Sequence, residues 1–539
     1  MSPSLWVMIE KLSQQAVWLV LFAILAPILG PRPYGLFAIV MVFVGFCEFV
    51  GVEAAAEALI GMDPLEPLHL KTATSGNLAI AIPTGIAVFL LAPLFGRLFG
   101  DPELTRLFRA LSVLPAISAL TSAPLAVLKR RMDFRPLAIR STLGLAIGGI
   151  AGVALALTGA GVWSLVWQIL VQRIAELAIL RLSAGSAAGI GLGWSRSHYH
   201  DLRDYAGHVF VSRSTAFIGG QLPRVIIGYF LGPVDLGLFT LASRLAETLI
   251  QIAVAPRAIV ARVDLRRFRR GEAALEAAFH RLLRDIALIG FPMSFGAVAT
   301  IPLLFSVWLD RSWQGGIWAA EMMLLTVPPL AVFYAASSVL LALNFPRREA
   351  RISVLQSVST ALFVLAAAPL GLDAVCLVMV VRLFLLMPYP ALVVWRACGI
   401  SPRSMAAAVA PPFCLSVAMA AVVTAISPLV VRSAGPRVAL AGLIVIGGLV
   451  YALLVGLFAP NEVRRFVAGL GSKGIGPLRL DRKGTGAGDA GRPAAHETDD
   501  RREPGGVGGH VEVDPEPLGR AGAEPGAKVA IGDGALQNS

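Results

Sequence analysis

Runs of apolar residues long enough to cross a bilayer recur along most of this chain. A transmembrane helix needs about 20 consecutive, mainly apolar residues, because lipid offers the backbone no hydrogen-bond partner. The runs are apolar on all faces. That excludes a membrane β-barrel, whose strands alternate apolar and polar residues over about ten positions. Only 15% of the 539 residues are charged, against about 25% in soluble proteins. A string of soluble domains is excluded too. The reading is an all-α polytopic membrane protein with about 14 transmembrane helices. The spans fall at roughly 10–30, 35–60, 74–96, 107–128, 137–159, 162–182, 207–230, 236–261, 283–308, 317–343, 350–371, 373–396, 405–430 and 436–458. The first run has no small-residue cleavage site before GPRPYG and reads as a retained helix.

Lys and Arg in the loops set the expected orientation. With the N-terminus inside, KRRMDFR (129–135), residues 262–284, PRRE (346–349) and the other inside loops hold roughly twenty basic residues, and the opposite loops about seven. N-terminus and C-terminus are both expected in the cytoplasm. The tail from 461 is rich in Gly, Pro and charge and lacks an apolar period, so disorder is expected there. Its charges nearly cancel, so the net +12 of the chain belongs to the membrane part, facing anionic lipid and not nucleic acid. Cys47, Cys376, Cys398 and Cys414 lie in or beside apolar segments at unrelated spacings, which gives no disulfide framework and no zinc pattern. No cofactor, metal or catalytic residue is expected.

One short loop occurs twice. LGPRPYGLFAI (29–39) joins the first two spans, and LGPVDLGLFTL (231–241) joins the seventh and eighth. Leu, Gly, Pro, Gly, Leu and Phe recur in register. KRRMDFRPLAIR after the fourth span and NFPRREARI after the tenth are a second echo. Arg173 and Arg382, in the sixth and twelfth spans, are a weaker third. An offset of six spans keeps both copies on one side of the membrane, as in a parallel internal repeat of two six-helix halves. The domains expected are 1–206 and 207–400 as the two bundles, 401–460 as two additional helices, and 461–539 as a cytoplasmic tail.

LAPILGPRPYGLFAIVMVF, LFGRLFGDPELTRLF (94–108), LKRRMDFRPLAIRSTLG (128–144), TGAGVWSLV (158–166), RVIIGYFLGPVDLGLFTLASRLAE (224–247) and FPRREARISV (345–354) resemble a known family. It is that of the bacterial O-antigen and exopolysaccharide flippases, in the superfamily that also holds lipid II flippases and multidrug and toxin extrusion antiporters. The resemblance runs from about residue 10 to 400, and the arginine-rich turn with DFRPLA and GAGVW is its most specific part. It implies a V-shaped pair of six-helix bundles plus two extra C-terminal helices. It also implies translocation of undecaprenyl-pyrophosphate-linked oligosaccharides from the inner to the outer leaflet of the bacterial inner membrane. The implied partners are the lipid-linked oligosaccharide, membrane lipids, and polysaccharide polymerase and chain-length or export proteins. Two positions depart from the family: Pro27 stands where many relatives have Arg, and Pro223 where many have an acidic residue. The local chemistry of the route is expected to differ there.

Such a cargo needs cations within the membrane, and Arg binds phosphate bidentately while staying charged. Charge inside a span suggests function by default. The seventh span carries Arg213, Gln221 and Arg224 around GGQLP, where Pro223 is expected to kink or open the helix. The eighth carries Arg244 and Glu247, the sixth Arg173 beside Glu176, and the twelfth Arg382, which has no acidic partner on its own helix. Pyrophosphate or glycan is assigned to Arg213, Arg224, Gln221, Arg244, Arg173 and Arg382. Snorkelling and self-satisfied i, i+3 ion pairs are the blander readings. Glu48 and Glu247 are read as ion-pair partners or coupling groups. Glu48 is expected to pair with an arginine of the seventh or eighth span, or to bind a coupling proton or sodium ion. Glu53 and Glu57, one turn apart, repel unless one is protonated. Three rivals stand beside the flippase. An ion-coupled drug or metabolite antiporter would prize Glu48. A polysaccharide-assembly enzyme would want an intramembrane histidine or a large outer loop, and neither is present. A non-transporting scaffold would not need the arginines.

Overall fold

The computed structural model describes residues 3–62, 65–185, 191, 193–268 and 273–458; the tail expectation for 461–539 lies outside them. All regular structure among the described residues is helical. Eighteen α-helices follow one another: α1 (Pro3–Leu29), α2 (Pro31–Gly61), α3 (Pro67–Leu98), α4 (Pro102–Leu111), α5 (Leu114–Ala119), α6 (Ser122–Arg130), α7 (Phe134–Leu157), α8 (Trp163–Ala184), α9 (Arg196–Phe230), α10 (Gly232–Leu249), α11 (Ala255–Leu265), α12 (Ala273–Trp308), α13 (Ile317–Leu325), α14 (Val327–Ala342), α15 (Pro346–Ala367), α16 (Leu372–Leu386), α17 (Pro388–Cys398) and α18 (Pro402–Phe458). Among the described residues, eleven helical stretches are long and apolar enough to cross a membrane. The expected fourteen differ from that number for two reasons. α8 and α9 coincide with the sixth and seventh spans but are not among the eleven. α18 takes in two spans: its 57 residues would reach about 85 Å at 1.5 Å per residue, far beyond a bilayer core of about 30 Å. The break is at Gly435, where φ is 74°.

The doubled loop is doubled in backbone as well as sequence. Gly30 and Gly232 both take positive φ, 74° and 85°, which glycine adopts without the Cβ penalty. A proline follows each in the first helical turn, where its missing N–H costs nothing. The second echo repeats too. Met132 and Asn344, at φ 56° and 60°, are the positive-φ non-glycine residues among those described. The amide after each reaches back five residues: Asp133 N to Leu128 O at 3.1 Å and Phe345 N to Leu340 O at 2.8 Å. Both are Schellman-type helix ends.

The two copies of the first loop meet. A Cβ on Gly35 would stand 1.7 Å from the Pro233 carbonyl oxygen, and one on Gly237 1.9 Å from that of Pro31. Only glycine lets α2 and α10 approach this closely. Leu36, Ile39 and Val40 of α2 and Leu236, Phe239 and Ala242 of α10 then bury in one core. Trp313 Nε1 donates to Ala26 O at 3.0 Å and Trp308 Nε1 to Ala23 O at 2.9 Å, fastening the same end to α1. α18 packs along α12 and buries Met419, Val423 and Leu443 against Phe295 and Leu303.

Of the kink or opening expected at Pro223, the opening does not occur. α9 runs unbroken through Pro223, so no unwound backbone opens at GGQLP. One lost amide donor is absorbed by a helix held on both sides of it, with Gly219 directly against Ser357 of α15. The irregularity falls elsewhere: residues Ile250–Val254 form a π-helical turn between α10 and α11. It lies just ahead of Pro256, which has no N–H for the turn before it.

Candidate functional site

Glycines put the polar face of α8 where it can be used. In α7, Gly144, Gly148 and Gly152 recur at helical spacing. A Cβ on them would meet Glu176 Cγ at 2.5 Å, Gln168 O at 2.5 Å and Gln168 Cβ at 2.9 Å, respectively. With small residues there, α7 and α8 lie close. The face of α8 that carries Gln168, Gln172 and Glu176 is therefore held against α7, and Arg173 is turned toward α2 and the space beyond.

That space is a cavity of about 590 Å³. α1, α2, α7 and α8 line one side and α9 and α10 the other. Its cations are Arg173, Arg224 and Arg244, and its amides Gln14, Gln15, Gln168, Gln172 and Gln221. Trp18, Phe22, Tyr34 and Phe37 add aromatic surface. The Arg244 guanidinium sits 4.5 Å over the Trp18 ring, within cation–π range.

Two carboxylate systems hold the arginines. Arg224 donates to Glu247 at 3.0 Å and to Gln221 Oε1 at 2.6 Å, and Arg244 reaches the other Glu247 oxygen at 3.4 Å. Glu247 thus joins α10 to α9 through Arg224, while Arg244 pairs with it from the same helix. Arg173 stands 3.3 Å from Glu48 and 3.1 Å from Glu176. Glu48 also accepts from Ser118, and Glu176 from Gln172 at 2.9 Å. Side-chain exposure separates the two systems: Glu48 and Glu176 are each 8% exposed and Glu247 is 44% exposed. A cavity anion can compete for the arginines of Glu247 but not readily for Arg173, which is held from two sides. Unused capacity remains at Arg244 Nε, Gln15 Oε1 and Gln168 Oε1, all buried with no partner.

Of the expected site residues, Arg173, Gln221, Arg224 and Arg244 come together at the cavity, with Glu247 bridging two of them. Among the described residues, Glu48 pairs with Arg173 of the sixth span and not with Arg224 or Arg244. Arg382 does not line the cavity. It is 4% exposed and donates to Ser359 Oγ at 2.9 Å and Gln356 O at 3.2 Å, so its partners come from α15. The Arg213, Glu53 and Glu57 side chains lie outside the described residues. Sequence reasoning missed Gln14, Gln15, Trp18 and Gln168. Their one signal is amides and an indole inside apolar spans.

The fold is that of the membrane flippases and multidrug exporters. The lipid II flippase MurJ, in an inward closed conformation, aligns with a TM-score of 0.68 over 86% of this chain and 99% of its own, at 14% identity. An inward-facing multidrug resistance transporter of the MATE family aligns at 0.53 over 74% of this chain and 98% of its own, at 16% identity. Within that fold, the chain belongs to the polysaccharide biosynthesis protein family, which matches residues 24–317. The succinoglycan biosynthesis transport protein ExoT of Rhizobium meliloti (strain 1021) is 29% identical over 249 residues, 46% of this chain. The lipopolysaccharide biosynthesis protein WzxC of Escherichia coli (strain K12) is 22% identical over 302 residues, 53% of this chain. The chain spans about half the length of these relatives, 50% of the first and 59% of the second.

Proposed function

We propose that this protein is a flippase for polyprenyl-pyrophosphate-linked oligosaccharide repeat units. It carries them from the cytoplasmic to the outer leaflet of a bacterial inner membrane, by alternating access, for surface polysaccharide assembly. The observation that carries this reading is the cavity's chemistry: arginines, glutamines and aromatic rings gathered between helices of the two sequence halves. Pyrophosphate is the cargo group that suits the arginines. It offers more acceptor oxygens than a carboxylate, so it displaces Glu247 from Arg224 and Arg244 while Gln221 and the other amides meet sugar hydroxyls. The aromatic rings give sugar faces an apolar surface. The family membership and the word "transport" in the name of the succinoglycan relative support the same cargo class. The domain division at 206/207 and 400/401, the V-shaped pair of bundles and a cytoplasmic location of both termini belong to this proposal, as do membrane lipids and polymerase or chain-length proteins as partners.

A second reading is favoured by one observation: each cavity arginine already has a carboxylate partner. Protonating Glu247 would free two guanidinium groups together, which suits an ion-coupled antiporter. One experiment separates the two. In cells lacking the protein, polyprenyl-linked oligosaccharide accumulates on the cytoplasmic leaflet if it is the flippase. Wild type rescues and Arg224→Ala does not. Unchanged surface glycan with no accumulation rejects the flippase reading.

A further inference from the structure

Outside the cavity, a second set of polar side chains closes on itself between α3 and α9. Glu66 caps α3 reciprocally: its side chain accepts from the His69 amide, and its own amide donates to His69 Nδ1 at 3.1 Å. His198, in the first turn of α9, brings Nε2 to 3.1 Å from Glu66 Oε2. The His69 and His198 rings stand 4.1 Å apart between centroids, inclined at 62°. One ligand atom from each of Glu66, His69 and His198 lies within 4.8 Å of the other two.

We propose that Glu66, His69 and His198 bind a divalent transition-metal ion of the zinc class and so pin the head of α9 to the head of α3. The donor set is the first argument. Two imidazoles and a carboxylate suit zinc or cobalt, whereas magnesium and calcium take oxygen ligands. The second is spacing. Ligand atoms about 2.0–2.2 Å from a tetrahedral zinc ion stand about 3.3 Å apart, and His198 Nε2 and Glu66 Oε2 are already at 3.1 Å. The third is the ring's other edge. Ser195 Oγ lies 2.7 Å from His198 Nδ1. Without a metal, Nε2–H donates to Glu66 and the Ser195 hydroxyl donates to Nδ1. With a metal on Nε2 the proton sits on Nδ1 and Ser195 turns to accept it, as outer hydrogen bonds do at zinc-bound histidines. Access is graded: His69 is buried, and the Glu66 side chain is 56% exposed, so an ion enters from water. Binding through His69 Nδ1 exchanges the Glu66 amide hydrogen bond for a coordinate bond.

The neighbours show what the ion would hold. The Gly193 amide donates to Ser75 Oγ at 3.2 Å, and the Tyr199 ring lies 3.6 Å from the place of a Cβ on Gly76. Gly193 and Tyr199 thus already lie against α3. An ion completes the fastening between the third span and the first helix of the second sequence half. This does not depend on what the cavity carries.

The test uses the purified full-length chain, without a polyhistidine tag, titrated with Co²⁺. We expect one equivalent to bind, with the visible bands of low-coordinate cobalt, and Zn²⁺ to displace it. His198→Ala and Glu66→Gln should each abolish the bands. Ser195→Ala should weaken binding by about tenfold or more. The metal should raise the unfolding midpoint of wild type and not of these variants. His200→Ala, at an exposed neighbour, should bind as wild type. Should a variant misfold, seen as a lowered midpoint without metal, the other variant decides. Absence of a stoichiometric site, or equal affinity in wild type and both variants, would overturn the proposal and leave a plain histidine–carboxylate hydrogen bond.

Discussion

Glu247 accepts from two guanidinium groups, and that shared acceptor sets the behaviour of the cavity. Replacing it by Gln removes the charge that neutralises Arg224 and Arg244. Glu247→Gln is expected to tighten binding of inorganic pyrophosphate severalfold and to slow its release, read by calorimetry on the purified protein. Arg224→Ala should weaken the same binding by about tenfold or more, since a hydrogen bond to a charged group contributes about 1.5–3 kcal/mol. Arg382 lies off the cavity, and Arg224 lines it. Arg382→Ala should leave pyrophosphate binding unchanged and cost about 1.5–3 kcal/mol of stability, because Ser359 and the Gln356 carbonyl lose their donor; thermal unfolding beside the binding curve checks both halves. In the sequence, Arg224, Arg244 and Gln221 stand out because charge and amides are rare within apolar runs. Arg382 stands out equally, and is misread for that reason: its partners are a hydroxyl and a backbone carbonyl of another helix. Gln14, Gln15 and Trp18 give only the signal of amides and an indole in an apolar run, because the packing of α1 on α7 decides that they face a cavity.

At the scale of elements, glycine positions decide more than hydrophobic ones. The L-G-P signature reads directly as a positive-φ residue and a proline at a helix start, and both copies fold that way. That Gly35 and Gly237 each receive the other loop's carbonyl is not readable from either loop alone. Alanine at either position favours the helix by about 1 kcal/mol in propensity, but its Cβ would stand under 2 Å from a carbonyl oxygen. The clash wins. Gly35→Ala and Gly237→Ala should each separate the loops, seen as a longer distance between spin labels at Arg32 and Val234. An unchanged distance would mean that α2 and α10 yield elsewhere. GGQLP teaches the opposite lesson. Proline inside a span predicts disruption, yet α9 continues through Pro223 and the π-turn forms before Pro256. Which proline disturbs its helix depends on what packs around the freed carbonyl.

For the whole molecule, the order of spans was legible and their number less so. α8 and α9 are not among the eleven membrane-length stretches of the described residues, although they carry cavity residues. The positive-φ break at Gly435 divides what is otherwise one continuous helix. The proposed orientation has a direct check. In a chain whose four cysteines are replaced, a cysteine at Gly435 or Gly100 should react with a membrane-impermeant maleimide from outside the cell. One at Arg131 should react only after the membrane is opened. The reverse pattern would turn the protein over and with it the direction of transport. The Glu66–His69–His198 cluster was beyond sequence reasoning, since Glu66 and His198 stand 132 residues apart and only the fold makes them neighbours.

The reciprocal contact of Gly35 and Gly237 also has a consequence for inheritance. Each half of the chain supplies both a hollow and the carbonyl that fills the other's hollow. A side chain gained in one loop cannot be accommodated by any change confined to that loop. The two positions therefore answer to selection as a single locus. Two loops of like sequence, free to differ over most of their length, stay tied to each other at the point where they touch.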